Sequence, residues 1–467
     1  MKFRMRGLAA AAVAGALALA TMPGVAEATT TDIDYKITSP YASVDWDWAQ
    51  YKAGFHNHTT ESDGGNTARQ MLEQAYALGF NVYAMTDHNF TNTTWDRTDT
   101  ARAQANPEYY LTTERMVEMN TGADRNGLPG MIGTGDSNEQ SIKDHLNTFW
   151  TPGYLNPAGS TLESKIATVD AMTGMDGAFD PIMHINHPGR YYGGSNKKLG
   201  PNGEDLGALA ALDPAKVARY VELFRQYPDS LVGMEIVNKV GDGDSYSDRI
   251  LWDEILAQTL PELNVWGYSN DDAHSVGALG YDYNLMLMPE LSEKAVYDTM
   301  KSGAFYSSAL VAKRELGPDF KGDRWQPAPS ISNIVVDQNA DSITIEGADY
   351  NTIEWIADGK VIATGNTLDL DDVSAKVDNY VRAQLKGDNG ITFTNAFAVE
   401  MNVKSNEGRF LSDGQAAQAA LASLGRTTGQ FEVVRDFGGK SKVFVVTITT
   451  DAGTTTVKVD AETGAIL

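Results

Sequence analysis

The chain of 467 residues contains no cysteine. Disulfide bonds are therefore excluded, and so is a lipid anchor on an N-terminal cysteine. A protein without disulfides has to be stabilised by apolar cores or by bound metal ions.

Basic residues are also scarce. The chain has 37 Lys and Arg against 62 Asp and Glu, and its formal net charge is −25. A negative field of this size repels nucleic acids and anionic membranes. We therefore expect no nucleic-acid partner, whereas the same field favours the capture of cations.

No hydrophobic run is long enough to cross a bilayer. The best candidate, residues 7–20, is short and follows a start with three basic residues. The small-x-small sequence Ala26-Glu27-Ala28 comes soon after it. This order is typical of a secretory signal peptide. The sequence therefore predicts that residues 1–28 are a signal peptide and that the protein is secreted or otherwise extracytoplasmic.

Short apolar strands alternate with amphipathic helices in the first two thirds of the chain. A predicted helix at 68–78 is followed by a buried strand at 81–85. Asp213-Pro214 is a helix-opening pair, and the next strand is predicted at 231–237. This alternation predicts an α/β domain over residues 29–325, with a parallel sheet or an α/β barrel.

The pattern changes near Trp325 to Pro329. Residues 326–403 contain only short alternating strands, which predict a small β-sandwich. Residues 408–467 contain a helix followed by three strands, which predict a small α+β domain. Since every candidate ligand described below precedes Val276, a fragment of residues 29–325 is expected to fold and to keep its activity.

The stretch from Phe55 to Gly65 carries the first chemical signal. His56 and His58 are two positions apart on a predicted strand end, so they face the same way. Asp63 follows in a turn rich in serine and glycine, which lets the chain fold back. Two imidazoles on one face form half of a metal site.

All histidines of the chain fall within the predicted α/β domain, close to carboxylates or turn residues. They are His56, His58, His88, His145, His184, His187 and His274. Most follow the end of a predicted strand. Because active-site residues of α/β barrels gather at the carboxyl ends of strands, these side chains are expected to converge.

Five motifs of histidines and carboxylates follow one another over about residues 50–320. They are His56-x-His58-x-x-x-x-Asp63, Thr86-Asp87-His88, Glu139 with His145, His187-Pro188-Gly189-Arg190, and Asp272-x-His274. In this order they resemble the motifs of a known family, the PHP (polymerase and histidinol phosphatase) metal-dependent phosphoesterases.

The resemblance implies a distorted (β/α)7 barrel and a site of two to three divalent metal ions, Zn, Mn or Fe. The implied ligands of the first metal are His56, His58, Glu139 and Asp272. Glu139 would bridge to a second metal, which His145 and His187 complete. Asp63, His88 and His274 would hold the third.

The implied activity is hydrolysis of phosphate esters, most simply small phosphomonoesters, by water activated between the metals. Glu139 and Asp272 would be the central catalytic carboxylates. Arg190 could bind the phosphate through its guanidinium fork, and Lys239 is a weaker candidate for that role. A phosphodiesterase or nuclease on the same metals, or a non-catalytic metal-holding binding protein, is the alternative.

Three assignments remain open at this stage. Asp136 could replace Glu139 as the third-motif carboxylate, although the spacing to His145 favours Glu139. His184 is three positions from His187 and is expected to be structural. Asp87 and Glu235 are expected to orient ligands rather than to bind metal.

The two C-terminal segments look accessory. The sandwich resembles immunoglobulin-like modules, and the last 60 residues resemble a PepSY module. That resemblance implies a possible peptidase or cell-wall partner outside the cytoplasm.

Overall fold

The computed structural model describes residues 35–151, 153, 160–174, 179–401, 411, 413–436 and 442–467. The predicted signal peptide at 1–28 lies outside the described residues. Within them, no helix is both long enough and apolar enough to cross a membrane.

Strands and helices alternate up to residue 316, as predicted. The strands are β1 (Tyr35–Thr38), β2 (Gln50–Gly54), β3 (Val82–Tyr83), β4 (Asn138–Gln140), β5 (Leu146–Phe149), β6 (Ile182–Ile185), β7 (Leu231–Asn238), β8 (Trp266–Asn270), β9 (Asp282–Leu287) and β10 (Phe305–Ala309). The helices are α1 (Ala68–Ala77), α2 (Ala101–Ala105), α3 (Thr113–Thr121), α4 (Leu162–Asp170), α5 (Gly189–Tyr192), α6 (Leu206–Ala211), α7 (Pro214–Gln226), α8 (Asp248–Thr259), α9 (Glu293–Ser302) and α10 (Lys313–Leu316).

The remaining elements are mostly strands. They are β11 (Ser330–Asp337), β12 (Ser342–Ala348), β13 (Thr352–Ala357), β14 (Lys360–Thr364), β15 (Thr367–Asp369), helix α11 (Leu370–Val373) with a 3-10 turn (Ser374–Lys376), β16 (Tyr380–Gly387), β17 (Gly390–Thr394), β18 (Phe397–Met401), helix α12 (Asp413–Ser423), β19 (Gln430–Asp436), β20 (Val443–Thr450) and β21 (Gly453–Asp460).

Local sequence signals explain where several helices begin. The Thr67 side chain and Gln70 form a reciprocal capping box at the start of α1. Asp213 caps α7, and Pro214 occupies its first turn. The apolar faces of these helices are buried against the sheets. The capping residues therefore mark the starts of the same helices that burial stabilises.

The protein is mixed α/β, but a closed (β/α)7 barrel is not found among the described residues. Strands β4 to β8 form one sheet, whereas β2, β3, β9 and β10 belong to another. Isolated bridges at Asn57–Ala273, Val82–Ile132 and His88–Glu139 link the two sheets. Strand β8 of the first sheet also lies against β9 and β10 of the second, where the Ser269 hydroxyl donates to the Ser308 carbonyl at 2.9 Å.

The second sheet continues beyond residue 325. Strand β10 pairs with β17, which pairs with β16, and β16 pairs with β18. Strand β1 then pairs with β18, so the first described strand of the chain forms the edge of this sheet beside the C-terminal strands. The sheet β11-β12-β15 contributes to the same apolar core as these strands, and helix α12 packs on the sheet β19-β20-β21.

Buried polar contacts reinforce this connection. Arg382 forms a two-pronged salt bridge with Asp253 of α8, with both N–O distances 2.7 Å, and both side chains are buried. Asn395 donates to the carbonyls of Gly303 and Phe305 at 3.0 Å. The domain boundaries at 325, 326–403 and 408–467 stay predictions, but the sheet and core run across residue 325.

This continuity reverses the expectation for truncation. A fragment of residues 29–325 would expose the full edge of β10 and leave Asp253 without Arg382. We expect insoluble or aggregated fragment, measured by size-exclusion chromatography and circular dichroism beside the full-length protein. A monomeric fragment with a cooperative melting transition would contradict this and restore the simple domain boundary.

Candidate metal centre

The site lies where several strands end. His56 follows β2 by two residues, His187 follows β6 by two, and Asp272 follows β8 by two. The side chains of these three residues are buried. The carboxyl ends of neighbouring strands therefore deliver polar groups to one place, as expected from the sequence.

His56 and His58 point together because the residue between them points elsewhere. Their ring centroids are 5.1 Å apart. The Asn57 side chain donates to the carbonyl of Ala84 at 3.2 Å, and its backbone N–H donates to Thr86 Oγ1 at 3.0 Å. Asn57 thus fixes the alternation that brings the two imidazoles to one face.

The turn after His58 is held by a buried carboxylate. Asp87 Oδ1 accepts from the Thr59 N–H and the Ser62 hydroxyl, each at 2.7 Å. Gly64 passes so close to the backbone of His58 that a Cβ would lie 2.8 Å from its carbonyl oxygen. Only glycine allows this approach, which carries Asp63 back to the histidines.

All nine predicted ligands come together. They fall into four overlapping groups whose nitrogen and oxygen atoms lie within 4.8 Å of one another: His58, Asp63, His88 and His274; His56, His187 and Asp272; His56, His58 and Glu139; and His88, Glu139 and His145. The groups overlap through Glu139 and several histidines. Four clusters of this chemistry at one place are what a multi-metal site requires.

Glu139 is at the centre. Its Oε1 lies 2.8 Å from His145 Nδ1 and 3.2 Å from His56 Nε2. Its Oε2 lies 2.6 Å from His88 Nδ1. One buried carboxylate thus faces histidines from three parts of the chain.

Asp272 is the second buried carboxylate. Its Oδ1 lies 3.0 Å from His58 Nε2, and its Oδ2 lies 3.0 Å from Lys239 Nζ. The φ angle of Asp272 is +42°, which is uncommon for a residue other than glycine. Such strained backbone geometry is concentrated at functional sites.

The third group is more open. Asp63 Oδ1 lies 3.3 Å from His274 Nε2, and its Oδ2 lies 3.5 Å from His88 Nε2. The Asp63 side chain is 56% exposed, whereas that of Glu139 is fully buried. The site therefore has a buried inner part and a solvent-facing outer part.

The charges of the inner part depend on one another. Burial alone would raise the pKa of the Glu139 carboxyl, but His56 and His145 outweigh it and hold that pKa well below its usual range. Burial alone would lower the pKa of His56, yet Asp272 and Glu235 raise it well above its usual value. The buried carboxylates thus stay ionised only beside positive charge.

Several buried ligand atoms have no hydrogen-bond partner among the described residues. They are His56 Nε2, both nitrogens of His58, His88 Nδ1, Glu139 Oε2 and Asp272 Oδ1. His88 Nδ1 and Glu139 Oε2 are close but not aligned as donor and acceptor. His145 Nδ1 and Glu139 Oε1 are within hydrogen-bond distance of each other, but the unpartnered imidazole and carboxylate atoms fit coordination of Zn²⁺, Mn²⁺ or iron.

Glu235 supports the ligands from behind. Its Oε1 lies 2.8 Å from His56 Nδ1 and accepts from Asn270 at 2.9 Å. Its Oε2 accepts from the backbone N–H of His187 and from the Asn238 amide. This partner fixes the ring of His56 with Nε2 directed at the cluster, the usual arrangement behind a metal-binding histidine.

Sequence reasoning missed Lys165, a fully buried lysine of α4. Its ammonium donates to the carbonyls of Gln140 at 3.0 Å and Ile142 at 3.1 Å, and also to that of Asp144. These carbonyls belong to the loop between Glu139 and His145. A single lysine on a helix carries no sequence signal for this role.

The other candidate residues are not among the grouped ligands. His184 stacks on Tyr268, with ring centroids 4.7 Å apart, and burial lowers its pKa to about 4. Asp136 is outside the four groups, so the structure brings Glu139 and not Asp136 to the cluster. Arg190 is exposed, with its guanidinium 6.0 Å from the Tyr191 ring centre.

The grouping differs in one respect from the expected assignment. His187 lies with His56 and Asp272, whereas His88 lies with Glu139 and His145 as well as with Asp63. From the sequence, His187 was expected beside Glu139 and His145, and His88 beside Asp63 and His274. The order of residues along the chain does not determine which ring faces which carboxylate. Which ligand holds which metal stays a prediction.

No protein-family model and no curated protein sequence matches this chain. Solved structures do. The chain is similar to a two-domain protein containing a predicted PHP-like metal-dependent phosphoesterase from Bacteroides vulgatus, with 11% identity and a TM-score of 0.36, over 91% of this chain and 98% of that one.

Two shorter structures are also similar. One is an amidohydrolase from Chromobacterium violaceum with bound sulfate and no metal, at 14% identity and a TM-score of 0.25, over 48% of this chain and 87% of that one. The other is a candidate metal-dependent phosphoesterase from Bifidobacterium adolescentis, at 14% identity and a TM-score of 0.23, over 50% and 90%. At these scores, the function has to be argued from the site itself.

The metal content can be measured directly. We expect two to three metal ions per chain after metal-replete purification, and a lower melting temperature in EDTA. Each ion present at about 100 times its Kd adds roughly 2.7 kcal/mol to the free energy of unfolding. Less than one ion per chain, or a melting curve that EDTA leaves unchanged, would contradict a metal site.

Lys165→Met tests the support of the loop. The variant keeps the apolar stem but removes the donors to Gln140, Ile142 and Asp144, so the affinity for Mn²⁺ should fall about tenfold or more. Calorimetric titration of the metal-free protein measures it. Lys294→Met, at an exposed position of α9, is the control. Equal affinity in both variants would show that Lys165 has no role in the site.

Proposed function

We propose that the protein is a metal-dependent phosphoric ester hydrolase that acts on small phosphomonoesters. The observation that supports this best is the convergence of nine imidazole and carboxylate ligands around Glu139 and Asp272. Clusters with shared carboxylates are typical of sites that hold two or more metals close together.

Divalent cations at such a site supply Lewis-acid stabilisation of phosphoryl oxygens and a nucleophilic water at neutral pH. The residues of this chain hold and orient them. Glu139 would link two cations, and Glu235 would keep His56 turned towards the cluster. The outer group around Asp63 leaves one side open to substrate.

The phosphate would be bound by cationic side chains at the rim. Lys239 Nζ is 3.0 Å from Asp272 Oδ2 and 3.7 Å from Asp244 Oδ2, so it already lies at the edge of the cluster. Arg190 is in α5, three residues after His187, and is exposed. We propose that Lys239 and Arg190 together neutralise the substrate phosphate.

We also propose export, on the basis of residues 1–28, and a peptidase or cell-wall partner for the C-terminal segment. The preference for small substrates follows from the net charge of −25, which disfavours long polyanions.

The experiment is turnover of p-nitrophenyl phosphate by full-length protein with Mn²⁺ or Zn²⁺, compared with bis(p-nitrophenyl) phosphate. We expect hydrolysis of the monoester to exceed that of the diester. A preference for the diester would favour the phosphodiesterase alternative, and no turnover of either by metal-loaded protein would favour a binding protein.

Variants at Glu139 sharpen the test. Glu139→Gln keeps the shape but removes the charge that holds two cations together, so activity should fall by about 10³-fold or more, as expected for loss of an essential electrostatic group. Asp136→Asn and His184→Gln should keep most of their activity. Activity retained by Glu139→Gln but lost in Asp136→Asn would show that the third motif is misassigned.

A further inference from the structure

A cavity lies at the start of β2, whereas the metal centre lies beyond the end of this strand. Its volume is about 270 Å³, and Gln50, Lys52, Tyr283, Tyr306, Arg324 and Trp325 contribute to its walls. Lys52 is four residues before His56, which is roughly 13 Å along an extended strand at about 3.3 Å per residue. The cavity is therefore separate from the metal cluster.

The charge of this cavity is opposite to that of the protein. Among the residues that the structure describes, the charged residues lining it are Lys52 and Arg324, with no Asp or Glu. Elsewhere acidic residues outnumber basic ones, 62 to 37. A pair of cations with no carboxylate in the cavity lining favours an anionic ligand.

The Lys52 ammonium is held in place by aromatic rings. Its Nζ is 4.5 Å from the ring centre of Phe80 and 4.2 Å from that of Tyr283. The hydrogen bond found for it among the described residues goes to the Leu78 carbonyl, at 3.3 Å. Burial and the nearby Arg324 lower the pKa of Lys52 to about 8, while Asp271 acts in the opposite direction.

Most other polar groups of the walls already have partners. The Tyr306 hydroxyl donates to the Gln50 side chain, and the Tyr283 hydroxyl accepts from the Ala328 N–H at 3.2 Å. Arg324 Nη1 donates hydrogen bonds to three backbone carbonyls. Within the described residues, no hydrogen bond is found for its Nε and Nη2. Donors on Lys52 and Arg324 are thus left for a ligand.

The size and shape of the cavity define the rest of the ligand. Cavities of about 150 Å³ can hold a benzene ring, so about 270 Å³ leaves room for a ring with one charged substituent. Tyr283 offers a ring face inside, and Trp325 is 59% exposed among the lining residues. We propose that this cavity binds a small aromatic carboxylate between Lys52 and Arg324.

The test is calorimetric titration of the full-length protein with benzoate, and with benzamide as a neutral ligand of the same shape. We expect one benzoate site per chain and no measurable binding of benzamide. Lys52→Met, which keeps the apolar stem, should weaken benzoate binding about tenfold or more, as expected for loss of a charge-assisted hydrogen bond.

Two controls locate the site. Lys294→Met changes an exposed lysine that does not line the cavity and should bind benzoate normally. Glu139→Gln alters the metal centre and should also bind benzoate normally. The proposal is overturned by equal binding of benzamide, by unchanged affinity in Lys52→Met, by loss in Glu139→Gln, or by no benzoate binding up to about 10 mM, a concentration that excludes even millimolar affinity.

Discussion

The burial of ionised carboxylates is the constraint on which the rest of this structure depends. Glu139 and Glu235 are fully inaccessible, and Asp272 is nearly so. An isolated buried carboxylate is costly, so it has to be paired with positive charge or hydrogen-bond donors. Glu235 is satisfied by protein donors alone, whereas Glu139 faces histidines in an arrangement with unmatched atoms. This contrast separates the supporting carboxylate from the one that would bind metal.

Buried side chains hold the loops of the site in place through hydrogen bonds to the backbone. Asp87 holds the turn that carries Asp63, Lys165 holds the loop between Glu139 and His145, and Glu235 holds the backbone of His187. None of these three residues belongs to the ligand groups. Each instead removes freedom from a segment that does, so a cation would find its ligands already positioned and lose less free energy in ordering them.

Much of this could be predicted from the sequence, for reasons that are local. The spacing of His56 and His58 specifies a shared strand face, and Asp213-Pro214 specifies a helix start. What could not be predicted is non-local. The pairing of β10 with β17 joins residues more than 80 positions apart, and no periodicity encodes such a partner. The distorted (β/α)7 barrel is not confirmed, because how far two short strands pair depends on tertiary packing that the sequence pattern does not encode.

The exposed fractions of the candidate ligand side chains indicate which side of the centre faces solvent. It rises from the buried side chains of Glu139 and Asp272 to 22% for His88, 31% for His274 and 56% for Asp63. Behind the inner ligands lie Glu235 and the aromatic packing around His184, which are closed to water. The centre is therefore open to water on the side of Asp63. Because the outer carboxylate is screened by water and the inner ones are not, the inner ligands hold charge more strongly. The carboxylates that water screens least are thus the ones farthest from the solvent.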